Sequence, residues 1–247
     1  MSFQDHFSTQ AQDYAQYRPH YPETLFDYLS NLCKEHELAW DCATGNGQAA
    51  VKLAEKFKKV IATDLSTAQI TVAEKLPNIE YRVEPAEQAT LIEHSVDLIT
   101  VATAYHWFDI SAFAHEVHRI LKPDGVLAVW CYGLCHIDPK LDDLFQHFYY
   151  DTVGEFWPAG RKYIDERYET IAFPFPRLQT PKFYMETHWN LAQFLGYLST
   201  WSAVQYYKKA KGHDPVIEVT AAFIEFWGDP EEIKKISWDI YLLVSKL

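Results

Sequence analysis

The sequence has no apolar run that approaches the roughly 18 residues of a membrane-spanning helix. Its first 23 residues contain neither the basic segment nor the apolar segment of a secretion signal. It is also poor in positive charge, with 22 lysine and arginine residues against 34 aspartate and glutamate residues, a formal net charge of −12. Because binding to nucleic acid depends on lysine and arginine, we expect a cytoplasmic protein with neither a nucleic-acid partner nor a membrane partner.

Cysteine is scarce, and its four positions contain no Cys-x-x-Cys pair. Without a secretion signal, reduced thiols are expected. A zinc site built from Cys131, Cys135 and His136 would need a fourth well-spaced ligand, so we interpret these residues as the end of a buried strand. The segment 115–118, His-Glu-Val-His, is one residue shorter than the zinc-protease motif, and we interpret it as a polar stripe on an outer helix. No metal is predicted.

From Leu38 onward, short apolar runs alternate with stretches of helical periodicity. This alternation predicts right-handed βαβ units and a parallel sheet with helices on both faces. The predicted strands are 38–43, 60–64, 79–83, 96–102, 126–131, 183–189 and 236–244. The predicted helices are 48–57, 66–75, 110–121, 138–151, 190–210 and 215–227, preceded by a helical region at 8–35 that is broken at residues 18–22.

The segment that carries the most chemical information is 41–48, Asp-Cys-Ala-Thr-Gly-Asn-Gly-Gln, directly after the first strand. Gly45 and Gly47 allow a sharp turn and a close approach of a ligand to the main chain, and the next helix offers its N-terminal N–H groups. Asp64 ends the second strand 17 residues after Gly47. A carboxylate at that strand end can accept hydrogen bonds from both hydroxyls of a ribose.

Two nucleotide-containing cofactors fit this turn. Residues 45–50 satisfy the Gly-x-Gly-x-x-Ala form of the nicotinamide fingerprint, which would make the protein an NAD-dependent oxidoreductase. S-adenosylmethionine fits as well and is favoured by two features. A preface of 37 residues precedes the first strand, and Asp41 suits a site that receives a cationic amino-acid group better than a pyrophosphate.

The motifs resemble those of the class I S-adenosylmethionine-dependent methyltransferases. Residues 41–48 are similar to their motif I, with Ala43 in place of its first glycine, and 84–87 to their third-strand motif. Residues 95–99 with 104–109, and residues 119–125, resemble the type 11 subfamily, with Asp124 in place of a glycine. Residues 173–176 and 199–202 are similar to the trans-aconitate methyltransferase-like branch.

The resemblance implies S-adenosyl-L-methionine as cofactor and a role for each matching position. The main chain at Ala43, Gly45 and Gly47 would lie along the methionine part, near Asp41. Asp64 would hold the ribose. The remaining cofactor-binding positions would be Leu65 against the adenine, Ala86 and Glu87 at the adenine edge, Thr103 at the methionine amino group, and Tyr17 and Arg18 in the helical preface.

The same resemblance implies a Rossmann-like α/β fold with a mainly parallel seven-stranded sheet, helices on both faces and a C-terminal, aromatic-rich helical lid. Residues 137–247 contain 23 of the 39 aromatic residues, yet no Gly/Ser-rich linker sets them apart, so a single methyltransferase domain over 1–247 is predicted. Its parts would be the preface 1–37, the cofactor-binding core 38–136, an inserted lid 137–182, and 183–247, which completes the sheet and adds helices.

The branch resemblance also implies the class of methyl acceptor. His106 and Trp107 follow the fourth strand, at the edge where open α/β sheets bind ligands, and are the candidate catalytic residues. A small molecule with a carboxylate acceptor is favoured, and it would need no general base. A hydroxyl, phenol or amine acceptor remains the alternative, with His106 as the base for a hydroxyl. Whether the protein is a monomer or a dimer is left open.

Overall fold

The computed structural model describes residues 17–247. The chain folds into two compact units, each built from several segments of the sequence. Within the described residues, the first unit comprises 17–20, 134–161 and 184–239. The second comprises 21–133, 162–183 and 240–247. The predicted lid, 137–182, is therefore shared between the two units.

Seven strands form one sheet, as the resemblance implied. Their order across the sheet is β3-β2-β1-β4-β5-β7-β6. The strands are β1 Leu38–Cys42, β2 Lys59–Asp64, β3 Ile79–Val83, β4 Val96–Ala102, β5 Leu121–His136, β6 Phe183–Trp189 and β7 Lys234–Lys246.

The helices of the second unit come mainly from the N-terminal half of the chain, and those of the first unit from the C-terminal half. The α-helices are α1 Glu23–Leu32, α2 Gln48–Ala54, α3 Thr67–Val72, α4 Ile110–Ile120, α5 Pro139–His147, α6 Lys162–Asp165, α7 Leu191–Ser199, α8 Ser202–Lys211 and α9 Pro215–Trp227. Short 3₁₀ turns lie at Tyr105–Trp107, Gly154–Phe156 and Ala159–Arg161, and a π-helical turn at Phe148–Thr152 continues α5.

The predicted cap of α3 is confirmed, whereas its predicted length is wrong. The Ser66 hydroxyl accepts a hydrogen bond from Gln69 N–H, which satisfies one of the free N–H groups at the helix start. The helix ends at Val72 rather than Lys75, because Ala73 is extended and the Lys75 ammonium donates to Ile70 O at 2.6 Å.

The sheet is mixed. β1 pairs in parallel with β2 and β4, β2 with β3, and β4 with β5. At the start of β5, Leu247 N–H donates to Gly125 O at 3.1 Å, so the start of β5 meets the end of β7 and these strands run antiparallel. This pairing also explains why β5 includes residues 122–125, for which the sequence predicts a turn. The predicted parallel pairing is therefore found among β1 to β5, and β7 pairs with β5 in the antiparallel direction.

Two predicted helices of the first unit differ from the structure. The helix predicted at 190–210 is divided into α7 and α8 at Thr200 and Trp201, both of which are buried. The helix predicted at 138–151 ends as an α-helix at His147 and continues as the π-helical turn. Within the first unit, Trp201 packs against Tyr149, Tyr197 and other rings at centroid distances near 5.6 Å, so the dense aromatics form its core.

All four cysteines are buried free thiols. Among residues 17–247, no helix combines the length and the apolar composition that crossing a membrane requires.

A buried carboxylate ties three strands of the second unit together. Asp97, 4 % exposed, lies on β4 and accepts from the N–H groups of Glu37 and Leu38 at 2.9 Å each. Its other oxygen accepts from the Lys122 ammonium at 2.7 Å. The start of β1, β4 and the start of β5 therefore share one charged group.

Replacing Lys122 with Met should lower the free energy of unfolding by about 3 kcal/mol, because Asp97 would remain buried without its counter-charge. Urea unfolding followed by circular dichroism measures this change. Lys58→Met removes an exposed ion pair to Glu37 and should cost less than about 1 kcal/mol. Equal effects of the two substitutions would contradict the role assigned to Asp97.

Candidate functional site

The turn between β1 and α2 has an unusual backbone. Ala43, Gly45 and Gly47 have φ values of 54°, 57° and 86°, in the left-handed region that L-residues other than glycine avoid. Thr44 N–H donates to Thr63 O at 2.9 Å, and Gly47 N–H to Thr44 O at 3.0 Å. The turn is thus anchored to β2 and closed on itself.

Asp41, near the end of β1, holds this turn through its side chain. The carboxylate is fully buried and accepts from the hydroxyls of Thr44 at 2.5 Å and Thr100 at 2.7 Å. Burial raises the pKa of Asp41 to about 6, although the hydrogen bonds from Thr44, Thr100 and the Ala50 main chain oppose that rise. Asp41 therefore links the turn to β4 and α2.

Asp64, at the end of β2, holds the turn from the side. One carboxylate oxygen accepts from Gly45 N–H at 2.8 Å, and the other accepts from Ser66 N–H at 2.7 Å. Each carboxylate oxygen has a second lone pair, so the same group has acceptor capacity for ribose hydroxyls. The residue that the sequence assigns to the ribose is thus already oriented by the turn.

Glycine is required at position 47 for a second reason. A Cβ added there would lie 2.3 Å from the Tyr81 hydroxyl oxygen and 3.2 Å from Tyr81 Cζ. The hydroxyl of Tyr81, which lies on β3, donates to Glu74 O at 2.9 Å. Neither Tyr81 nor the two threonines on Asp41 is identified by the sequence motifs as a site residue, because motifs do not show which side chains meet in the fold.

The space beside Gly45 fits a ligand that lies against bare main chain. Among residues 17–247, a Cβ added to Gly45 would have only Gln69 Oε1 within 4 Å, at 4.0 Å. Leu65, next to Asp64, is 42 % exposed despite being apolar. A bare turn, a carboxylate at its side and an exposed aliphatic side chain are the features that a ribose and an adenine ring require.

Ala86 and Glu87 lie just beyond β3. Ala86 is buried, and Glu87 Oε1 accepts from Asp109 N–H at 3.0 Å. Asp109 in turn caps α4 by accepting from Ala112 N–H at 3.0 Å. The predicted adenine-edge segment is thus fastened to the segment that carries His106.

The end of β4 contains a second strained residue. Thr103 has φ of 56°, which is rare for a β-branched residue. Its N–H donates to Trp130 O at 2.7 Å, and its hydroxyl shares a hydrogen bond of 3.3 Å with Tyr21 Oη. Strain of this kind is concentrated at ligand sites.

His106 and Trp107 lie in the 3₁₀ turn after β4. The two rings contact each other, with centroids 4.6 Å apart, and Trp107 is 42 % exposed. Nδ1 of His106 lies 2.8 Å from Tyr168 Oη. Tyr168 belongs to the same unit, 62 residues further along the chain.

The structure brings most of the predicted site residues together at the carboxyl ends of β1, β2, β3 and β4. Tyr17 and Arg18 belong to the first unit. There, a Cβ on Gly196 would lie 2.8 Å from the Tyr17 ring, and the Arg18 guanidinium lies 5.4 Å from the Tyr197 ring centroid. The part of the predicted preface before residue 17 lies outside the described residues.

Comparisons with known proteins agree with this geometry. Residues 40–129 match the family described as "Methyltransferase domain". A Dictyostelium discoideum protein assigned to the methyltransferases is 36 % identical over 252 residues, which cover 99 % of this chain and 95 % of the relative. A solved structure from Anaeromyxobacter dehalogenans, described as a type II methyltransferase, is 38 % identical with a TM-score of 0.87 and covers 93 % of this chain and 97 % of that one.

A Saccharomyces cerevisiae protein described as an S-adenosylmethionine-dependent methyltransferase is 32 % identical over 139 residues, which are 53 % of this chain and 46 % of that protein. The sheet and its glycine turn define a Rossmann-like methyltransferase fold. The chain belongs to the S-adenosylmethionine-dependent methyltransferases. Of the two cofactors that the turn admits, the enzyme uses S-adenosyl-L-methionine.

The raised pKa of Asp41 makes the stability of the ligand-free enzyme depend on pH. In the unfolded chain this carboxyl ionises near its ordinary pKa of 3.8, but in the folded protein near 6. The cost of burying the charge is absent below the lower value and complete above the higher one. The contribution of Asp41 to stability is therefore lost as pH rises through this window.

Asp41→Asn removes this dependence. The free energy of unfolding of the wild type should fall by about 1 kcal/mol relative to that of D41N between pH 5 and pH 8. Urea unfolding of both proteins at several pH values measures the difference. A difference that does not change across this range would contradict the raised pKa.

Proposed function

We propose that this methyltransferase transfers the methyl group to a carboxylate oxygen of a small molecule, and that it belongs to the branch similar to trans-aconitate methyltransferases. The observation that carries the proposal is the partner of His106. Its Nδ1 lies 2.8 Å from the phenol oxygen of Tyr168. A phenol is a better donor than acceptor, and donation to Nδ1 leaves the ring proton of a neutral imidazole on Nε2. This contact therefore favours an imidazole that donates a hydrogen bond to the acceptor over one that removes a proton from it.

The carboxylates at this edge support the same conclusion. The buried Asp41 carboxylate accepts hydrogen bonds from two hydroxyls. Asp64 accepts from two main-chain N–H groups, and Glu87 accepts from Asp109 N–H. Asp41 and Asp64 thus hold the turn, and Glu87 holds the segment that carries His106. An acceptor that is already ionised at neutral pH needs no proton removed.

Bound S-adenosylmethionine supplies a methyl group on a positively charged sulfur, which an ionised carboxylate can attack directly while the neutral thioether leaves. The residues of this chain then have to align the two reactants and exclude water. We assign the ribose to Asp64 and the adenine to Leu65, Ala86 and Glu87. Residues 41–47 would hold the methionine part and Thr103 its amino group, with Trp107 as a further contact.

The branch assignment rests on segments 173–176 and 199–202, which lie in packed positions. Phe173 contacts Tyr105, with ring centroids 6.2 Å apart, and Trp201 is 3 % exposed. Each segment is therefore packed within its own unit, and the similarity of their sequences supports the branch assignment. The contacts that select the acceptor have to come from elsewhere.

Asp64→Asn should weaken the binding of S-adenosylmethionine by about tenfold or more, because a neutral amide accepts fewer and weaker hydrogen bonds than a carboxylate. Isothermal titration calorimetry with the cofactor and with S-adenosylhomocysteine measures the change. Asp109→Asn is the matched control, since asparagine also caps a helix. The affinity of this variant for the cofactor should stay within about twofold of the wild-type value. Unchanged affinity in D64N would overturn the cofactor placement.

The acceptor class is tested by incubating the enzyme with methyl-labelled cofactor and small carboxylic acids, phenols or amines. A methyl ester is expected, which mild alkali releases as methanol. With a carboxylate acceptor, His106→Asn should leave the shape of the rate-versus-pH curve unchanged. An alkali-stable methyl ether or methylamine would instead establish the hydroxyl or amine alternative. Loss in H106N of the rise in rate with pH that a general base produces would point the same way.

A further inference from the structure

Tyr168 occupies a conformation that a bulky residue rarely adopts. Its φ is 58°, and the preceding Arg167 has φ of 57°. Two consecutive left-handed residues, neither of them glycine, are disfavoured by contacts between Cβ and the main chain. Tyr168 is nevertheless fully buried, so its surroundings determine this conformation.

Contacts of Tyr168 and of the preceding Arg167 hold this turn in place. Tyr168 N–H donates to Tyr163 O at 2.7 Å, which closes the turn after α6. The ring lies edge-on to Tyr105, with centroids 6.4 Å apart, and the Arg167 guanidinium lies 5.4 Å from the Tyr241 ring centroid. The strained turn thus delivers one hydroxyl to a fixed position in the core of the second unit.

That position is 2.8 Å from His106 Nδ1. A phenol hydroxyl is a good donor and a weaker acceptor than an unprotonated imidazole nitrogen, so chemistry favours donation from Tyr168 to Nδ1. In a neutral imidazole the proton then lies on Nε2. The contact fixes both the orientation of the ring and its tautomer.

We propose that Tyr168 is a positioning residue that holds His106 as the Nε2–H tautomer, so that the imidazole donates a hydrogen bond to the acceptor carboxylate. The inference rests on the proposed carboxylate chemistry for its substrate and on the strained turn for its geometry. Backbone strain persists mainly at functional sites. The strain at Tyr168 is explained if this residue has to hold His106.

The first test needs no substrate. In wild-type protein labelled with ¹⁵N, the His106 ring nitrogens should show a protonated Nε2 and an unprotonated Nδ1 at neutral pH, with His106→Ala providing the assignment. Tyr168→Phe should shift the signals toward a mixture of tautomers. Tyr163→Phe, which removes a phenol hydroxyl from the same segment, should leave them unchanged. A proton on Nδ1 in the wild type would overturn the inference even if Y168F fails to fold.

The second test is kinetic and separates a positioning role from a structural one. Y168F should raise the KM for the acceptor on the order of tenfold, while affinity for S-adenosylmethionine stays unchanged. In the H106A background the same substitution should add nothing, because Tyr168 acts through His106. Additive losses would overturn the inference.

The two proposals fail in different ways. If the product is a methyl ether or a methylamine while the Nε2–H tautomer is observed, the carboxylate chemistry is wrong and the role of Tyr168 in fixing the ring stands. If the product is an ester and the tautomer is Nδ1–H, the acceptor assignment stands and the role of Tyr168 is wrong.

Discussion

The site depends on one constraint. The turn at residues 43–47 has to keep a left-handed backbone at three positions, two of which are glycine. Such a backbone is costly at Ala43, by roughly 1–2 kcal/mol for a residue with a Cβ. Asp41 and Asp64 offset that cost through hydrogen bonds to the turn and to the elements on either side of it. Because these carboxylates end β1 and β2, the sheet itself sets the shape of the turn.

Two residues with a left-handed backbone follow neighbouring strands at the same edge of the sheet. Ala43 follows β1, and Thr103 follows β4, which pairs with β1 in parallel. Tyr168 adds a third strained position through its contact with His106. The rigid part of the second unit, with β4 buried along nearly its whole length, holds these conformations. Rigid strands that support unusual backbone at their ends are a general way of preorganising a site.

The core could be predicted from the sequence because its signals are local. β3, β4 and β6 have the predicted bounds, since each is a short run of strand-forming residues between turns. The extension of β5 into residues 122–125 could not be predicted, because it depends on pairing with Leu247 at the far end of the chain. In the site, motifs predicted Asp41, Gly47 and Asp64. They could not show that Tyr81 closes on Gly47 or that Tyr168 reaches His106, since both contacts join distant segments.

The two carboxylates at this edge of the sheet, Asp41 and Asp64, are both held by hydrogen bonds within the protein. Asp41 has a raised pKa because it is buried, and Asp64 is balanced by the N–H groups of Gly45 and Ser66. Because both carboxylates are held by these hydrogen bonds, neither is placed to pair with a positive sulfur centre. An anionic acceptor can then supply that partner, and its attraction to the positive centre is strongest where water is excluded. In a protein of net charge −12, a site whose own acids are already satisfied is a place where one more carboxylate can be accommodated.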